Sequence, residues 1–212
     1  IIEGLRREEI ADMFARSIDT AFDANEFLAL TKGKEGYLFP DTYLIPKDAT
    51  TQLVARVLET TFVRKVTPEI RAGWEAQGLN ELEALTLASL VQREARDIDS
   101  MKMVAGILVK RLRAGWPLQV DATLQYVKGF DANENTWWPT PLVVDKTRKS
   151  PYNTYIHTGL PPGPIANPGL DAMEAVASPT ENDFWYYLTG RTGEMRYAKT
   201  IKEHNANIAK YL

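Results

Sequence analysis

Residues 81–96, ELEALTLASLVQREAR, carry the clearest structural pattern in this chain. Asn80 precedes them and Glu83 follows three residues later, an arrangement typical of a helix N-cap with a capping box. At about 100° per residue, four polar side chains fall on one stripe: Thr86, Ser89, Arg93 and Arg96. The segment therefore predicts a helix with distinct polar and apolar faces.

Glu94 projects to the opposite side of this predicted helix. Its neighbours there are aliphatic: Leu87, Leu90 and Val91. A carboxylate among such side chains loses hydration, which raises its pKa and favours the protonated, proton-donating form. Alternatively, Glu94 is a solvated charge at a helix end, paired with Arg93 or Arg96. Glycoside-cleaving enzymes need one acid of the first kind, so Glu94 is a candidate catalytic residue.

The composition is that of a globular protein with a substantial core. The chain has 212 residues, of which 44% are hydrophobic and 25% charged. Its net charge is −3 and no lysine or arginine run exceeds a pair, which argues against nucleic acid as a partner. No run approaches 18 apolar residues, so we predict no transmembrane span within these residues.

Few residues could bind a metal or form a disulfide. The sequence has no cysteine, and its two histidines, His157 and His204, belong to no HExxH motif. We therefore expect no metal and no cofactor. The chain begins at Ile1 rather than methionine, and we interpret it as part of a longer or processed protein.

The first half of the chain predicts helices. Apolar spacing indicates an amphipathic helix and a short successor over 8–30, two helices over 50–76 and one over 100–114. Pro68 is placed to start the second helix of 50–76, and Gly115 to end the helix of 100–114.

The second half is mixed. Residues 118–127, LQVDATLQYV, alternate as a strand would, which puts Gln119, Asp121 and Thr123 on one face. A short helix is predicted at 170–178, a hairpin at 184–200 around Gly-Arg-Thr-Gly, and a final helix at 201–212. The predicted fold class is α+β, with a helical N-terminal half followed by a small mixed or antiparallel sheet and long Pro/Gly-rich loops.

Residues 150–169, SPYNTYIHTGLPPGPIANPG, form the least generic segment. Proline and glycine can hold such a loop in one specific conformation. The aromatic and polar side chains of residues 152–155 suit a sugar. The alternative is a polyproline II segment that serves as a linker or binds another domain.

Other aromatic residues have both a packing and a binding interpretation. In residues 35–43, EGYLFPDTY, the side chains of Tyr37, Phe39 and Tyr43 are predicted to fill a core, with Asp41 capping a turn. Trp137 and Trp138 either stack on a sugar or pack partly buried.

Six of these segments occur in the same order as in a known family: EGYLFPDTY, LASLVQREA, AGILVKRL, LQVDAT, SPYNTY and GLPPGPIANPG. The chain resembles the endolytic murein transglycosylases, the YceG-like family, over nearly its whole length. In that family the glutamate that ends an Ala-Ser-(Ile/Leu)-Val-x-(Lys/Arg)-Glu motif is the catalytic acid/base. The matching residues here are Ala88 to Glu94, so the resemblance assigns this role to Glu94.

The chain departs from the family pattern at several positions. Gln92 stands where the family often has an acid, and Lys110 where an asparagine is common. Gln119 to Thr123 reads Gln-Val-Asp-Ala-Thr instead of Gln-Ser-Asp-Pro-Thr, which retains Asp121. Met195 occupies the position of a histidine in the family's Gly-x-His-x-Phe pattern.

The resemblance implies cleavage of the β-1,4 bond between N-acetylmuramic acid and N-acetylglucosamine, leaving a 1,6-anhydro end. No water is consumed and no cofactor is required. The substrate-binding candidates are Gln119, Asp121, Thr123, Tyr152, Asn153 and Tyr155. Two alternatives remain open: a hydrolase with Asp121 or Glu35 as second carboxylate, and a non-catalytic glycan-binding scaffold module.

The resemblance also implies a domain organisation and a cellular setting. Residues 1–34 are expected to be a helical segment that leads into a catalytic domain at 35–212. The implied location is the bacterial inner membrane, with a single-pass anchor upstream of Ile1 and the catalytic domain outside the cytoplasm. Peptidoglycan glycan strands are the expected partner, and cell-wall synthases are further candidates.

Overall fold

The computed structural model describes residues 1–18 and 21–212, and this part of the chain contains nine α-helices and a two-stranded antiparallel sheet. The helices are α1 (Arg7–Ser17), α2 (Ala24–Leu30), α3 (Thr51–Lys65), α4 (Pro68–Ala76), α5 (Glu81–Glu94), α6 (Ile98–Arg113), α7 (Asp121–Lys128), α8 (Leu170–Ala177) and α9 (Ile201–Tyr211). The strands are β1 (Tyr186–Thr189) and β2 (Met195–Ala198), and a 3-10 turn covers Val143–Thr147. The α+β class is confirmed. No helix in this part of the chain has the length and apolar character needed to cross a lipid bilayer.

The predicted helix starts are confirmed by their caps. Asn80 Oδ1 accepts a hydrogen bond from the Glu83 amide at 3.0 Å, and Glu83 Oε2 accepts from the Asn80 amide at 2.9 Å. This reciprocal capping box satisfies amides that a helix leaves free at its start. Pro68 begins α4 behind the N-cap Thr67, as predicted.

Helix α5 lies in the interior, in contact with α4, α6, α7 and α8. Its polar stripe is therefore not a solvent-facing surface. Thr86 and Ser89 are buried, and each hydroxyl donates to a carbonyl of its own helix. Ser89 Oγ also accepts from the Ile165 amide at 3.0 Å, which ties α5 to the loop before α8. Arg96 lies beyond the helix end at Glu94.

Two apolar clusters hold the structure together. The larger surrounds α5 and includes buried side chains of α4, α6 and α8, with Trp74 among the largest. The smaller joins α1, α2 and α3 around Phe27, Leu38 and Leu58. Phe39 is in the larger cluster, and Tyr37 and Tyr43 pack partly buried against the two clusters, as predicted for core aromatics. The division of the chain at residue 34 stays a prediction.

The predicted strand at 118–127 is wrong, because the segment turns into helix α7 at Asp121. Gln119 has a left-handed backbone (φ 52°), which ends the extended chain after Leu118. Asp121 then occupies the first turn of α7, where an acidic side chain is favoured by the helix dipole. Gln119, Asp121 and Thr123 therefore do not share a strand face: the first two are exposed and Thr123 is buried.

The predicted hairpin is confirmed. Its register pairs Tyr187 with Tyr197 and Thr189 with Met195. Because side chains alternate along a strand, these four share one face of the sheet. The opposite face packs on α9, where the Tyr186 ring stacks on His204 at 5.2 Å.

The Pro/Gly-rich segment 159–169 is not a linker, since the structure buries residues 163–169. Pro164 fits against Gly36, where a β-carbon would lie 2.7 Å from Pro164 Cγ. Gly36 also has φ +88°, a conformation that suits glycine. The loop is thus part of the packed interior that supports α5.

Gly106 on α6 is a position where a single methyl group should destabilise the protein. A β-carbon there would lie 2.1 Å from the carbonyl oxygen of Thr180, so the backbone would have to move. We expect Gly106→Ala to lower the free energy of unfolding by about 2 kcal/mol or more, as overpacking does. Urea denaturation measures this, with Gly163→Ala, whose β-carbon would meet only the Tyr152 hydroxyl at an ordinary 3.6 Å, as a control for the added methyl group. An unchanged midpoint for Gly106→Ala would contradict the close packing of α6 on Thr180.

Candidate active site

Glu94 is the last residue of α5 and lies in a cavity of about 320 Å³. One wall is the chain from α5 to α6, and the other is the hairpin. The cavity is lined by Gln92, Arg93, Glu94, Ala95, Arg96, Asp97, Thr189, Gly193 and Met195. The Glu94 side chain is half-buried: protein atoms surround it, yet it opens onto this cavity.

Burial, together with the negative charge of Asp121, raises the pKa of Glu94 to about 7. Three groups oppose this rise: the Tyr187 hydroxyl, the backbone amide of Ala122 and the guanidinium of Arg93. The Ala122 amide is in the first turn of α7, whose N-terminus favours a negative charge. A carboxyl group with such a pKa can both give and take a proton near neutral pH.

Tyr187 and Arg111 belong to this site and were not identified from the sequence. Burial and the Glu94 carboxylate hold the pKa of Tyr187 well above its usual value, so the phenol stays protonated. Arg111 is 5% exposed and donates to the carbonyls of Leu118 and Trp185. The positive charge of Arg111 partly offsets the rise in the pKa of Tyr187. The negative charge of Glu94 favours the charged form of Arg111. Arg111 therefore supplies a fixed positive charge behind the catalytic candidate.

One sequence signal could have identified Arg111. It follows Ile107 and Leu108 at helical spacing, and both are fully buried on α6. A cation on the apolar face of a helix needs a partner or a function. No comparable signal marks Tyr187, because its contact with Glu94 depends on how the hairpin packs on α5.

Asp121 and Tyr155 lie near enough to Glu94 for their charges to interact, and Gln119 precedes Asp121 by two residues. The Tyr155 hydroxyl donates to Asp121 Oδ1 at 2.5 Å. Burial and this aspartate raise the pKa of Tyr155, and Glu94 contributes to the rise. The side chains of Asp121 and Gln119 are exposed.

Three other candidates make contacts within the protein. Thr123 is fully buried and shares a hydrogen bond with Thr154 at 3.0 Å. Asn153 is also fully buried, and its amide nitrogen donates to the carbonyls of Lys146 and Arg148. Tyr152 packs on Tyr126 at 4.9 Å between ring centroids. Thr123 and Asn153 therefore hold the loop and α7 in place in this conformation.

The paired tryptophans pack against arginines. The Arg93 guanidinium stacks on Trp138 at 3.8 Å, and the Trp138 indole nitrogen donates to Glu9 at 2.9 Å. Trp137 lies 4.7 Å from the guanidinium of Arg6. Such cation–π contacts stabilise partly buried arginines. The packing interpretation accounts for both tryptophans here.

Glu35, the other carboxylate considered from the sequence, occupies a structural position. It is 8% exposed, and burial raises its pKa to about 8. Its Oε1 accepts from the Asn167 side chain at 2.7 Å and from the Arg7 amide at 3.1 Å. Across residues 1–18 and 21–212, no three His, Asp or Glu side chains group as metal ligands would.

The structure is thus an α+β domain in which the carboxyl group of Glu94 lies in a cavity and has a pKa near neutrality. The chain belongs to the YceG-like family, whose model matches residues 1–210. A crystal structure of a yceG-like protein from Listeria monocytogenes has a similar fold, with a TM-score of 0.77 and 28% identity. The match covers 97% of this chain and 74% of that one.

Two curated relatives carry the name endolytic murein transglycosylase. The Bacillus subtilis protein is 34% identical over 180 residues, which is 84% of this chain and 48% of the relative. The Streptococcus pneumoniae D39 protein is 32% identical over 179 residues, again 84% of this chain but 32% of the relative. This chain thus spans about half or less of these relatives.

Proposed function

We propose that this domain cleaves peptidoglycan glycan strands internally as a lytic transglycosylase and leaves 1,6-anhydro-N-acetylmuramic acid ends. The observation that carries the proposal is the half-buried Glu94, whose pKa of about 7 suits successive acid and base roles. The names of the curated relatives support the substrate and the reaction class. Mass spectrometry of the glycan ends tests the proposal.

In the first step, protonated Glu94 donates its proton to the glycosidic oxygen while the bond to C1 of N-acetylmuramic acid breaks. Positive charge develops at C1 and the ring oxygen, as in other glycoside-cleaving reactions. The N-acetylglucosamine leaves with a new hydroxyl group. Glu94 is then a carboxylate, and the nearby Ala122 amide and Tyr187 hydroxyl stabilise its negative charge.

In the second step, the Glu94 carboxylate takes the proton of the sugar's own 6-hydroxyl as that oxygen attacks C1. This closes the anhydro ring and returns Glu94 to its protonated form. An intramolecular nucleophile can reach an effective concentration of about 10⁵ M or more. One carboxyl group therefore suffices, which fits the single half-buried acid at the end of α5.

Substrate positioning falls to the exposed side of the site. Asp121, Tyr155 and Gln119 are proposed to contact the sugar directly. Thr123 and Asn153 are proposed to act indirectly, since their side chains are hydrogen-bonded within the protein. Tyr152 is proposed to support this loop through its contact with Tyr126.

A hydrolase remains a second candidate because Asp121 lies near enough to raise the pKa of Glu94. Asp121 would then activate a water molecule. Glu35 is a poor choice for that task, since its carboxylate is buried and accepts from Arg7 and Asn167. A glycan-binding scaffold module without activity would not need the raised pKa of Glu94.

The setting is also part of the proposal. We place the catalytic domain outside the cytoplasm at the cell wall, with a single-pass inner-membrane anchor upstream of Ile1. Residues 1–34 would lead into the catalytic domain at 35–212. Cell-wall synthases are proposed as further protein partners.

Two substitutions should shift the pH dependence of cleavage in opposite directions. Tyr187→Phe removes a group that lowers the pKa of Glu94, so the alkaline decline of kcat/KM should move to higher pH. Asp121→Asn removes a charge that raises this pKa, so the decline should move to lower pH. We also expect Tyr187→Phe to slow cleavage about tenfold or more at its optimum, because Glu94 loses an orienting contact.

The control for this pair is Tyr43→Phe, which removes a hydroxyl bonded to the Phe39 carbonyl beside the smaller cluster. Its pH profile should match that of the wild type. Profiles for Tyr187→Phe and Asp121→Asn that shift in the same direction, or not at all, would count against the proposed electrostatics of Glu94.

A further inference from the structure

The long segment between α7 and α8 carries an exposed apolar tip, residues 142–144. Leu142 is 56% exposed, Val143 85% and Val144 68%. Single exposed apolar residues are ordinary, whereas three in succession on one turn form a local apolar surface. The proposed glycan chemistry has no use for this surface, because sugars bind through polar groups and aromatic faces.

The tip is held on a rigid base. Asp145 is buried, and its Oδ2 accepts from the Leu142 amide at 2.7 Å and lies 3.5 Å from Lys128 Nζ. The buried Asn153 amide donates to the carbonyls of Lys146 and Arg148. These bonds fix both ends of the 3-10 turn. The exposure of the three apolar side chains is therefore built into the fold.

Exposed cations follow the tip directly. Lys146, Arg148 and Lys149 are all exposed, and Asp145, the one acid between residues 140 and 150, is buried and paired. This segment is thus strongly basic at its surface, although the whole chain has a net charge of −3. Apolar side chains beside exposed cations are typical of protein surfaces that bind anionic lipid headgroups and insert shallowly.

We propose that residues 142–149 dock onto an anionic phospholipid surface, with the apolar tip inserted between headgroups and the three cations on the phosphates. This binding goes beyond the proposed glycan cleavage and does not depend on it. The segment lies beside the candidate site, since Lys146 Nζ is 4.9 Å from the ring of Tyr155, which bonds to Asp121. Docking would therefore hold the site close to the membrane surface, independently of any anchor.

The test is co-sedimentation of the chain with vesicles of phosphatidylglycerol and phosphatidylcholine in equal parts, and with vesicles of phosphatidylcholine alone. We expect binding to the anionic vesicles that decreases with added salt. Arg148→Gln with Lys149→Gln should weaken it about 25-fold, at about fivefold for each cation. Val143→Ser with Val144→Ser should weaken it about tenfold or more.

The matched control is Leu44→Ser with Val63→Ser, which removes two exposed apolar side chains elsewhere and should leave binding unchanged. Cleavage of soluble glycan by the two test variants should stay at the wild-type rate. No binding to anionic vesicles, equal binding to both vesicle types, or equal losses in the control would overturn the proposal. So would loss of glycan cleavage with vesicle binding intact, which would assign the segment to substrate or to a protein partner.

Discussion

Glu94→Gln is expected to slow glycan cleavage by about 10⁴-fold, because one residue acts first as acid and then as base. Glutamine has nearly the same shape but can neither donate the proton nor take it back. The cavity offers no second carboxyl group in the same position, since Gln92 is neutral and Asp97 is beyond the helix end. The measurement is the release of soluble fragments from purified peptidoglycan over time.

The control for this substitution is Glu174→Gln, an exposed position on α8 that should leave the rate unchanged. The fold of Glu94→Gln should also be intact. Since the pKa of Glu94 is raised when folded, ionisation of this residue destabilises the wild type as pH rises from about 4.5 to about 7. Glu94→Gln should therefore be at least as stable as the wild type at pH 8. Near-normal turnover by a folded Glu94→Gln protein would contradict the assignment.

The largest expected loss of stability follows from Asn167→Ala. The side chain of Asn167 is fully buried and makes four hydrogen bonds. Its Oδ1 accepts from the amides of Gly36 and Leu38, and its Nδ2 donates to Glu35 and to the Leu5 carbonyl. Alanine would leave these buried partners unsatisfied. We expect the free energy of unfolding to fall by about 3–5 kcal/mol.

Asn167 joins three distant parts of the chain: the N-terminal residues, the EGYLFPDTY segment and the loop before α8. Urea denaturation measures the loss, with Asn205→Ala at an exposed position on α9 as the matched control. The control should change stability by less than about 0.5 kcal/mol. A loss below about 1 kcal/mol for Asn167→Ala would mean that water or rearrangement satisfies these groups. The hydrogen bonds of Asn167 would then not be essential to the fold.

The helices of the first half were predictable because their signals are local. Apolar spacing and caps define α3, α4, α5 and α6, and the caps lie within a few residues of the helix starts. The hairpin was predictable for the same reason. The polar stripe of α5 predicts a helix with a distinct polar face. Helices on several sides of α5 instead bury Thr86 and Ser89.

The sequence predicts a strand where α7 forms, because the alternation of apolar residues is compatible with a strand and also with a buried turn into a helix. Leu118, Val120, Ala122 and Leu124 alternate, yet all four are buried in a structure that turns into a helix at Asp121. The left-handed backbone of Gln119 ends the extended chain and decides between strand and helix. Glutamine is not a residue type that predicts such a conformation. The tertiary bond from the Gln119 amide to the Thr154 carbonyl, at 3.0 Å, fixes that turn.

The candidate site was predictable only in part. Glu94 and Asp121 lie close together, since the charge of Asp121 raises the pKa of Glu94. The predicted strand that would place Asp121 and Thr123 on one face is wrong, because Asp121 begins α7. Tyr187 and Arg111 could not be connected with Glu94 from periodicity. They reach the site from the hairpin and α6, and only the packing of these elements on α5 brings the three together.

The glycan ends produced from purified peptidoglycan test the central claim most directly. After digestion by the wild-type chain, mass spectrometry should find 1,6-anhydro-N-acetylmuramic acid at the new ends, and Glu94→Gln should produce none. Reducing ends in place of anhydro ends would contradict the transglycosylase mechanism and favour a hydrolase that uses Asp121. Intact strands after digestion by a folded, glycan-binding wild type would instead indicate a non-catalytic module.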